Sequence, residues 1–189
     1  MSTLERAVRA FAIASGLMLL LSGCATMDAE SCQGADWRQI GADDGAGGQS
    51  ADQFDTYQRE CREFGIQADH ASYQAGWNEG ITLYCTRDNG YVVGRKGDYY
   101  GDTCPGAMRD PFYVGYMAGR AISQAQARID QVQHALDEVR DEAAKDDLTG
   151  EQRGALRAKR KELERDMEGA RYALTNARLE AQRLGFQVY

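Results

Sequence analysis

Apolar positions are spaced in three different ways along this chain. From Phe11 to Leu21 they run almost unbroken, interrupted only by Ser15 and Gly16, with Arg6 and Arg9 before the run and Leu21-Ser22-Gly23-Cys24 closing it. A helix needs about 20 apolar residues to span the hydrocarbon core of a bilayer. This run is roughly half as long, so residues 1–23 read as a signal peptide that ends in a lipobox, not as a permanent span.

From residue 121 the rhythm becomes helical. Ile122, Ala125, Ile129, Val132, Leu136, Val139 and Ala143 alternate steps of three and four. Leu156, Leu163, Met167, Ala170, Leu174, Ala177, Ala181 and Leu184 resume the beat after Asp146-Asp147-Leu148-Thr149-Gly150. Two heptad seams joined by a short connection predict an antiparallel, coiled-coil-like hairpin over residues 121–189. Thr149 with Gln152 three residues on is a capping-box signature for the start of the second helix.

Between these segments, residues 24–120 are rich in glycine and aromatics. One phrase recurs, an aromatic followed by glycines four apart: Trp37 with Gly41 and Gly45, Tyr73 with Gly76 and Gly80, Phe112 with Gly115 and Gly119. Glycines at i and i+4 share a helix face and let another backbone come close, which offsets their cost of about 1 kcal/mol each in a helix. Residues 86–103 read differently. Asp88-Asn89-Gly90 predicts a turn and Tyr91-Val92-Val93 a short strand, giving a small β-hairpin or loop flap. The predicted fold class is therefore mainly α: a small Gly/aromatic-rich helical domain over 24–120 bearing this flap, then the long two-helix hairpin over 121–189.

The cysteines sharpen this picture. With Cys24 assigned to lipidation, Cys32, Cys61, Cys85 and Cys104 form an even set in an exported chain, the signature of two disulfides. Three connectivities are open; pairing Cys32 with Cys61 and Cys85 with Cys104 is preferred because each closes a local loop. There is no Cys-x-x-Cys pair and the two histidines, His70 and His134, lie far apart, so neither a metal site nor a cofactor is expected.

Charge limits the partners. Loss of residues 1–23 removes Arg6, Arg9 and Glu5 and leaves the mature chain one unit more acidic than the −7 of the precursor. Residues 121–189 hold twelve Lys and Arg against thirteen Asp and Glu, so the negative excess sits in the first domain. Nucleic acid and anionic membrane surfaces call for clustered cations; no such cluster is expected, and no nucleic-acid partner.

Catalytic patterns are weak. Asp69, His70 and Ser72 are too close in sequence for triad geometry, and His134 falls beside the seam of the first arm helix. Asp43-Asp44-Gly45 with Asp52 lacks the spacing and the closing Glu of the twelve-residue calcium loop. A non-enzymatic protein is expected. Trp77, Tyr91, Tyr99 and Tyr100 are the residues for an aromatic glycan-contact groove, with peptidoglycan as the periplasmic polymer it would meet. At the end of the chain, Gly185 suits a helix stop, and Phe186 and Tyr189 are expected to tuck against the globular half.

Asp36-Trp37-x-x-Ile40-Gly41-x-x-Asp44-Gly45, Cys61, Tyr73-x-x-Gly76-Trp77-x-x-Gly80, Tyr84-Cys85, Asn89-Gly90, Gly94, Gly97, Tyr99 and Cys104, in that order, resemble the bacterial cell-envelope lipoprotein family catalogued as domain of unknown function 2799. The resemblance covers about residues 24–120. It implies an envelope lipoprotein and carries over no activity, cofactor or catalytic residue. Together these readings predict a protein held to the membrane by a lipid on Cys24. Ala25, in place of an aspartate, points to the outer membrane, facing the periplasm. The expected role is scaffolding or docking through residues 121–185, toward an envelope protein or a second copy, with glycan binding as the alternative.

Overall fold

The computed structural model describes residues 27–188. Polar side chains start most of its helices. Asp28 accepts from Ser31 N at the head of α1 (Ala29–Gly34), Asp36 from Gln39 N at α2 (Trp37–Ala46), Asp69 from Ser72 N at α4 (His70–Tyr84), and Thr86 from Asn89 N at α5 (Arg87–Lys96). Each satisfies one of the donors a helix start leaves unpaired. α3 (Gln53–Glu63) lies between α2 and α4. A 3₁₀ turn, Gly106–Met108, leads into the long α6 (Arg109–Ala143), and the Thr149–Gln152 capping box opens α7 (Gly150–Arg183).

Glycine decides how these helices pair. An added Cβ at Gly41, Gly45, Gly76 or Gly80 would stand 1.8–2.5 Å from a carbonyl oxygen of the opposing helix of the α2/α4 pair. At Gly90, Gly94, Gly115 and Gly119 the same holds in the α5/α6 pair, at 2.0–2.2 Å. The contacts ascend together: Gly41 meets Tyr73 and Gly45 meets Trp77, while Gly90 meets Phe112 and Gly94 meets Tyr116. Both pairs are therefore parallel, their backbones close enough for Cα–H to face C=O.

The two pairs are variants of one unit. Arg38-x-x-Gly41-x-x-x-Gly45 corresponds to Arg87-x-x-Gly90-x-x-x-Gly94, and Tyr73-x-x-Gly76-Trp77-x-x-Gly80 to Phe112-x-x-Gly115-Tyr116-x-x-Gly119. The carbonyls against the glycines correspond as well, Arg38 to Arg87 and Tyr73 to Phe112. Because parallel helices put their connected ends at opposite ends of the pair, the chain must run back along about 15 Å of helix before starting the second. Each return segment is pinned by a disulfide to the stretch ahead of the first helix: Cys61 to Cys32, and Cys104 to Cys85. This is the locally closing pairing preferred from the sequence.

One prediction is corrected here. Residues 87–96 are helical, and among the described residues there is no strand. Gly90, Tyr91, Val93 and Gly94 are buried, a helical spacing of i, i+1, i+3 and i+4, and Val92 faces solvent. The turn signal of Asp88-Asn89-Gly90 and the β-branched pair lose to the Thr86 cap and to the close contact Gly90 and Gly94 make with α6. Only the loop after Gly97, which ends α5 in the left-handed region at φ +80°, keeps the character of a cross-linked flap.

Aromatic rings fill the space the glycines leave. Trp37, Phe54, Tyr57 and Tyr73 form one group of edge-on and tilted rings, and Tyr84, Tyr100, Phe112 and Tyr116 a second, in which Tyr84 stacks on Phe112. Both belong to one core that also contains both disulfides. Among the described residues no charged side chain is fully buried.

The predicted hairpin is present, α6 packing along α7. Ile122 clusters with Leu174 and Ala181, and Val132 with Leu163 and Met167, so residue numbers rise on one helix as they fall on the other. The arm is longer than the composition change suggests, because α6 starts at Arg109 and passes through residue 120 without a break. At its base the chain end tucks back: Phe186 stacks on Tyr91 at 4.5 Å, the Arg87 guanidinium lies 4.1 Å over the Phe186 ring, and Arg87 donates to the Leu184 carbonyl. Tyr189 lies outside the described residues.

Candidate functional site

Cys24, the predicted lipidation site, lies outside the described residues, as does the whole segment 1–26. Among those described, no helix is long and apolar enough to cross a membrane.

The aromatic groove predicted from Trp77, Tyr91, Tyr99 and Tyr100 is not assembled. Trp77 is 7 % exposed and its indole N–H donates to the Gln49 carbonyl at 2.9 Å. Tyr91 is covered by Phe186. Tyr100 packs on Phe112 at 4.6 Å, its hydroxyl oxygen accepting from Cys104 N. Three of the four rings are core, because the missing glycine side chains must be replaced by large ones from neighbouring positions. Tyr99 alone presents its ring, at 87 % exposure.

Tyr99 does border a cleft of about 560 Å³ between the two glycine-packed units, shared with Gly48, Gln49 and Ser50 after α2, Leu83 and Tyr84 of α4, and Lys96 and Asp98 at the end of α5. Gly48 sits at φ +76°, and a Cβ there would strike the Tyr84 ring at 2.2 Å, so glycine shapes this wall. Thr103 Oγ1, also on the wall, is buried without a hydrogen-bond partner. The cleft holds neutral amide and hydroxyl groups together with one cation and one anion.

The titratable residues weighed from sequence are structural or exposed. Asp69 accepts from both the backbone and the hydroxyl of Ser72, which lowers its pKa, and His70 packs on Phe54 at 4.8 Å. Asp44 accepts from the hydroxyls of Tyr73 at 2.8 Å and Tyr57 at 3.1 Å. Burial, reinforced by that carboxylate, raises the pKa of both tyrosines. His134 is solvent-exposed beside Glu138.

At the far end of the arm lies a feature the charge balance hides. Arg140 of α6 and Arg153, Arg157 and Arg160 of α7 surround a cleft of about 330 Å³ floored by Val139, Ala143 and Leu156. Between Gln152 and Lys161 the chain carries five cations, Arg153, Arg157, Lys159, Arg160 and Lys161, and no acid. The expectation that the chain has no basic cluster is thus corrected. Counting charges over residues 121–189 averaged this run against acids elsewhere on the arm; a nine-residue window would have found it.

No curated protein and no solved structure matches the chain. A family match does exist, over residues 36–121, to the family described as "Protein of unknown function (DUF2799)". It begins at the Asp36 cap of α2 and ends just past Gly119, so it spans both glycine-packed pairs and leaves out the rest of the arm. Over residues 36–121, which hold both glycine-packed pairs, the chain is similar to the DUF2799 family.

Proposed function

We propose that this is a non-enzymatic, lipid-anchored protein of the bacterial envelope, tethered by Cys24 to the periplasmic face of the outer membrane, whose helical arm docks a partner. One observation carries the docking role. Beyond Ile129 the apolar seam packs only against itself, in a cluster of Val132, Leu163 and Met167 with arm neighbours. Residues 130–143 add about 21 Å of helix whose apolar seam packs on α7 and outside the core of the domain. A long element that packs only on itself is suited to reach a partner.

The anchor reading rests on the lipobox and on energetics. One acyl chain holds a protein marginally and two or more hold it firmly, at about 0.8 kcal/mol per buried methylene. Feeding cells a palmitate analogue should label the wild type and leave Cys24→Ala unlabelled; a labelled variant sinks the anchor. For the arm, deletion of residues 130–143 together with 154–167 removes two heptads from each helix in register. Photocrosslinks raised from the arm should disappear while lipidation persists, and an unchanged crosslink pattern defeats the docking role.

A second reading, glycan binding, is favoured by the exposed Tyr99 ring on the 560 Å³ cleft with its amide and hydroxyl walls. It predicts that the protein sediments with purified sacculi and that Tyr99→Ala abolishes this. Retention no greater than that of a control lipoprotein rejects it.

A further inference from the structure

We infer that the open end of the arm is a docking groove for an acidic amphipathic helix. Its apolar face would lie on Val139, Ala143 and Leu156 and its carboxylates against Arg140, Arg153, Arg157 and Arg160. The inference rests on the docking role of the arm and names where and what it docks.

Three observations converge. First, no seam position is fully buried on the tip side of Val132 and Leu163: Leu136, Val139 and Leu156 are half-buried, as Ile129 is nearer the base, and Ala143 is exposed. Two helices that leave heptad positions uncovered provide the hole into which a third helix sets its knobs. Second, Arg153, Arg157 and Arg160 stand at i, i+4 and i+7, which places them on one flank of α7 beside Leu156. Arg140 reaches the same cleft from α6. Third, the cations are incompletely used. Arg157 has no ion pair or hydrogen bond among the described residues, and Arg153 donates only to the Asp146 carbonyl. Arg160 meets Glu164 at 3.3 Å, and Arg140 meets Asp137 and Asp141, all in exposed pairs that hold their partners weakly. A chain of net charge −7 has gathered guanidinium groups, which bind carboxylates in bidentate fashion, around the end of the seam that holds the exposed Ala143.

Other occupants fit less well. Insertion into a bilayer calls for large apolar side chains that stand clear of the surface; the exposed large apolar residues of the described chain, such as Tyr99, Tyr113, Met117 and Tyr172, are all elsewhere. A symmetric tip-to-tip dimer places the same patch against itself, arginine against arginine.

The test uses the full mature chain with Cys24→Ser, so that it is soluble. It is titrated with a three-heptad peptide carrying leucine seams flanked by glutamate, whose like charges keep the peptide monomeric. The controls are a scrambled peptide of the same composition, a lysine-flanked version and anionic phosphatidylglycerol vesicles. The glutamate heptad peptide is expected to bind at least about tenfold more tightly than the scrambled one, a difference of about 1.4 kcal/mol, and to weaken as salt rises. Amide shifts should centre on Ala143 and Leu156. Arg153→Gln, Arg157→Gln and Arg160→Gln combined should weaken it about tenfold or more; glutamine is a good helix former at exposed positions, and an unchanged thermal midpoint verifies the fold. If that variant unfolds, Arg157→Gln alone and the salt dependence decide. Equal binding of the scrambled peptide, binding untouched by the substitutions, shifts centred elsewhere, or retention by vesicles without peptide binding each overturns the inference. Failure here leaves docking elsewhere on the arm to the crosslinking experiment, so the two readings fall separately.

Discussion

At the scale of single residues, glycine carries the architecture. Gly76 and Gly169 are both helical, yet an added Cβ would stand 1.8 Å from the Arg38 carbonyl at Gly76 and meet nothing within 4 Å at Gly169. Gly76→Ala should therefore destabilise by about 3 kcal/mol or more, because backbone on both sides cannot rotate away. Gly169→Ala should stabilise by about 0.5–1 kcal/mol through helix propensity. Urea unfolding of the two variants checks the contrast, and equal effects would refute close backbone packing. Tyr73 tests the core in a different way. Its hydroxyl is buried on Asp44 and its pKa is raised above the ordinary 10. Below that value the tyrosine is protonated in both folded and unfolded chains and its contribution is complete. Above it only the unfolded chain loses the proton freely, so stability falls as pH climbs from about 10 toward the raised folded value. Tyr73→Phe should flatten this alkaline loss in urea midpoints taken between about pH 8 and 11, at a cost near neutrality of about 1 kcal/mol for the lost hydrogen bond.

At the scale of elements, the notable feature is a parallel pair whose return segment is stapled. Parallel packing of consecutive helices demands a crossing segment, and such segments gain little from local contacts. The Cys85–Cys104 bridge closes a separation of 19 residues, and cross-linking a loop of that size stabilises by about 3 kcal/mol, mainly by restricting the unfolded chain. Replacing both cysteines with alanine should cost about that much in denaturant titration. The loss should concentrate in the α5/α6 unit, with amides of α5 exchanging faster than those of α2. The glycine phrases for α2, α4 and α6 were legible in the sequence because each follows an aromatic at regular spacing. The fourth, Gly90 with Gly94, was masked by Asn89-Gly90 and Val92-Val93, local signals that are strong in isolation and are reversed here by contacts 22–28 residues away in the chain, between Gly90 and Phe112 or Gly119 and Tyr91. The heptad seams needed no such help, since their partner positions follow from periodicity alone.

At the scale of the whole molecule, one continuous α6 joins the glycine-packed double unit to the arm, so a force or a partner at the tip acts directly on the helix that packs against α5. The chain end locks this joint. Phe186 is buried between Tyr91 and Arg87, where Arg87 occupies the position that Arg38 holds in the first unit. Arg38 pairs with Glu79 on the surface; its counterpart has been turned to hold the terminus. Phe186→Ala should cost about 2–3 kcal/mol and loosen the last turns of α7, read as faster amide exchange over residues 178–184, while the tip seam around Val132 keeps its protection. Uniform loss of protection would show instead that domain and arm unfold as one unit.

The sequence by itself determined what depends on local order: the even set of four cysteines that pair as two local bridges, the capping box at Thr149, and the two seams, whose 3- and 4-residue steps define a face without knowledge of what covers it. Tertiary structure decided what depends on two distant stretches meeting. It made residues 87–96 a helix, because glycines at 90 and 94 find the carbonyls of α6. It buried Trp77, Tyr91 and Tyr100 in place of the predicted groove, because a backbone contact without side chains needs large rings around it. It gathered Arg140 with Arg153, Arg157 and Arg160, because only the antiparallel turn of the hairpin brings the end of one helix beside the start of the next.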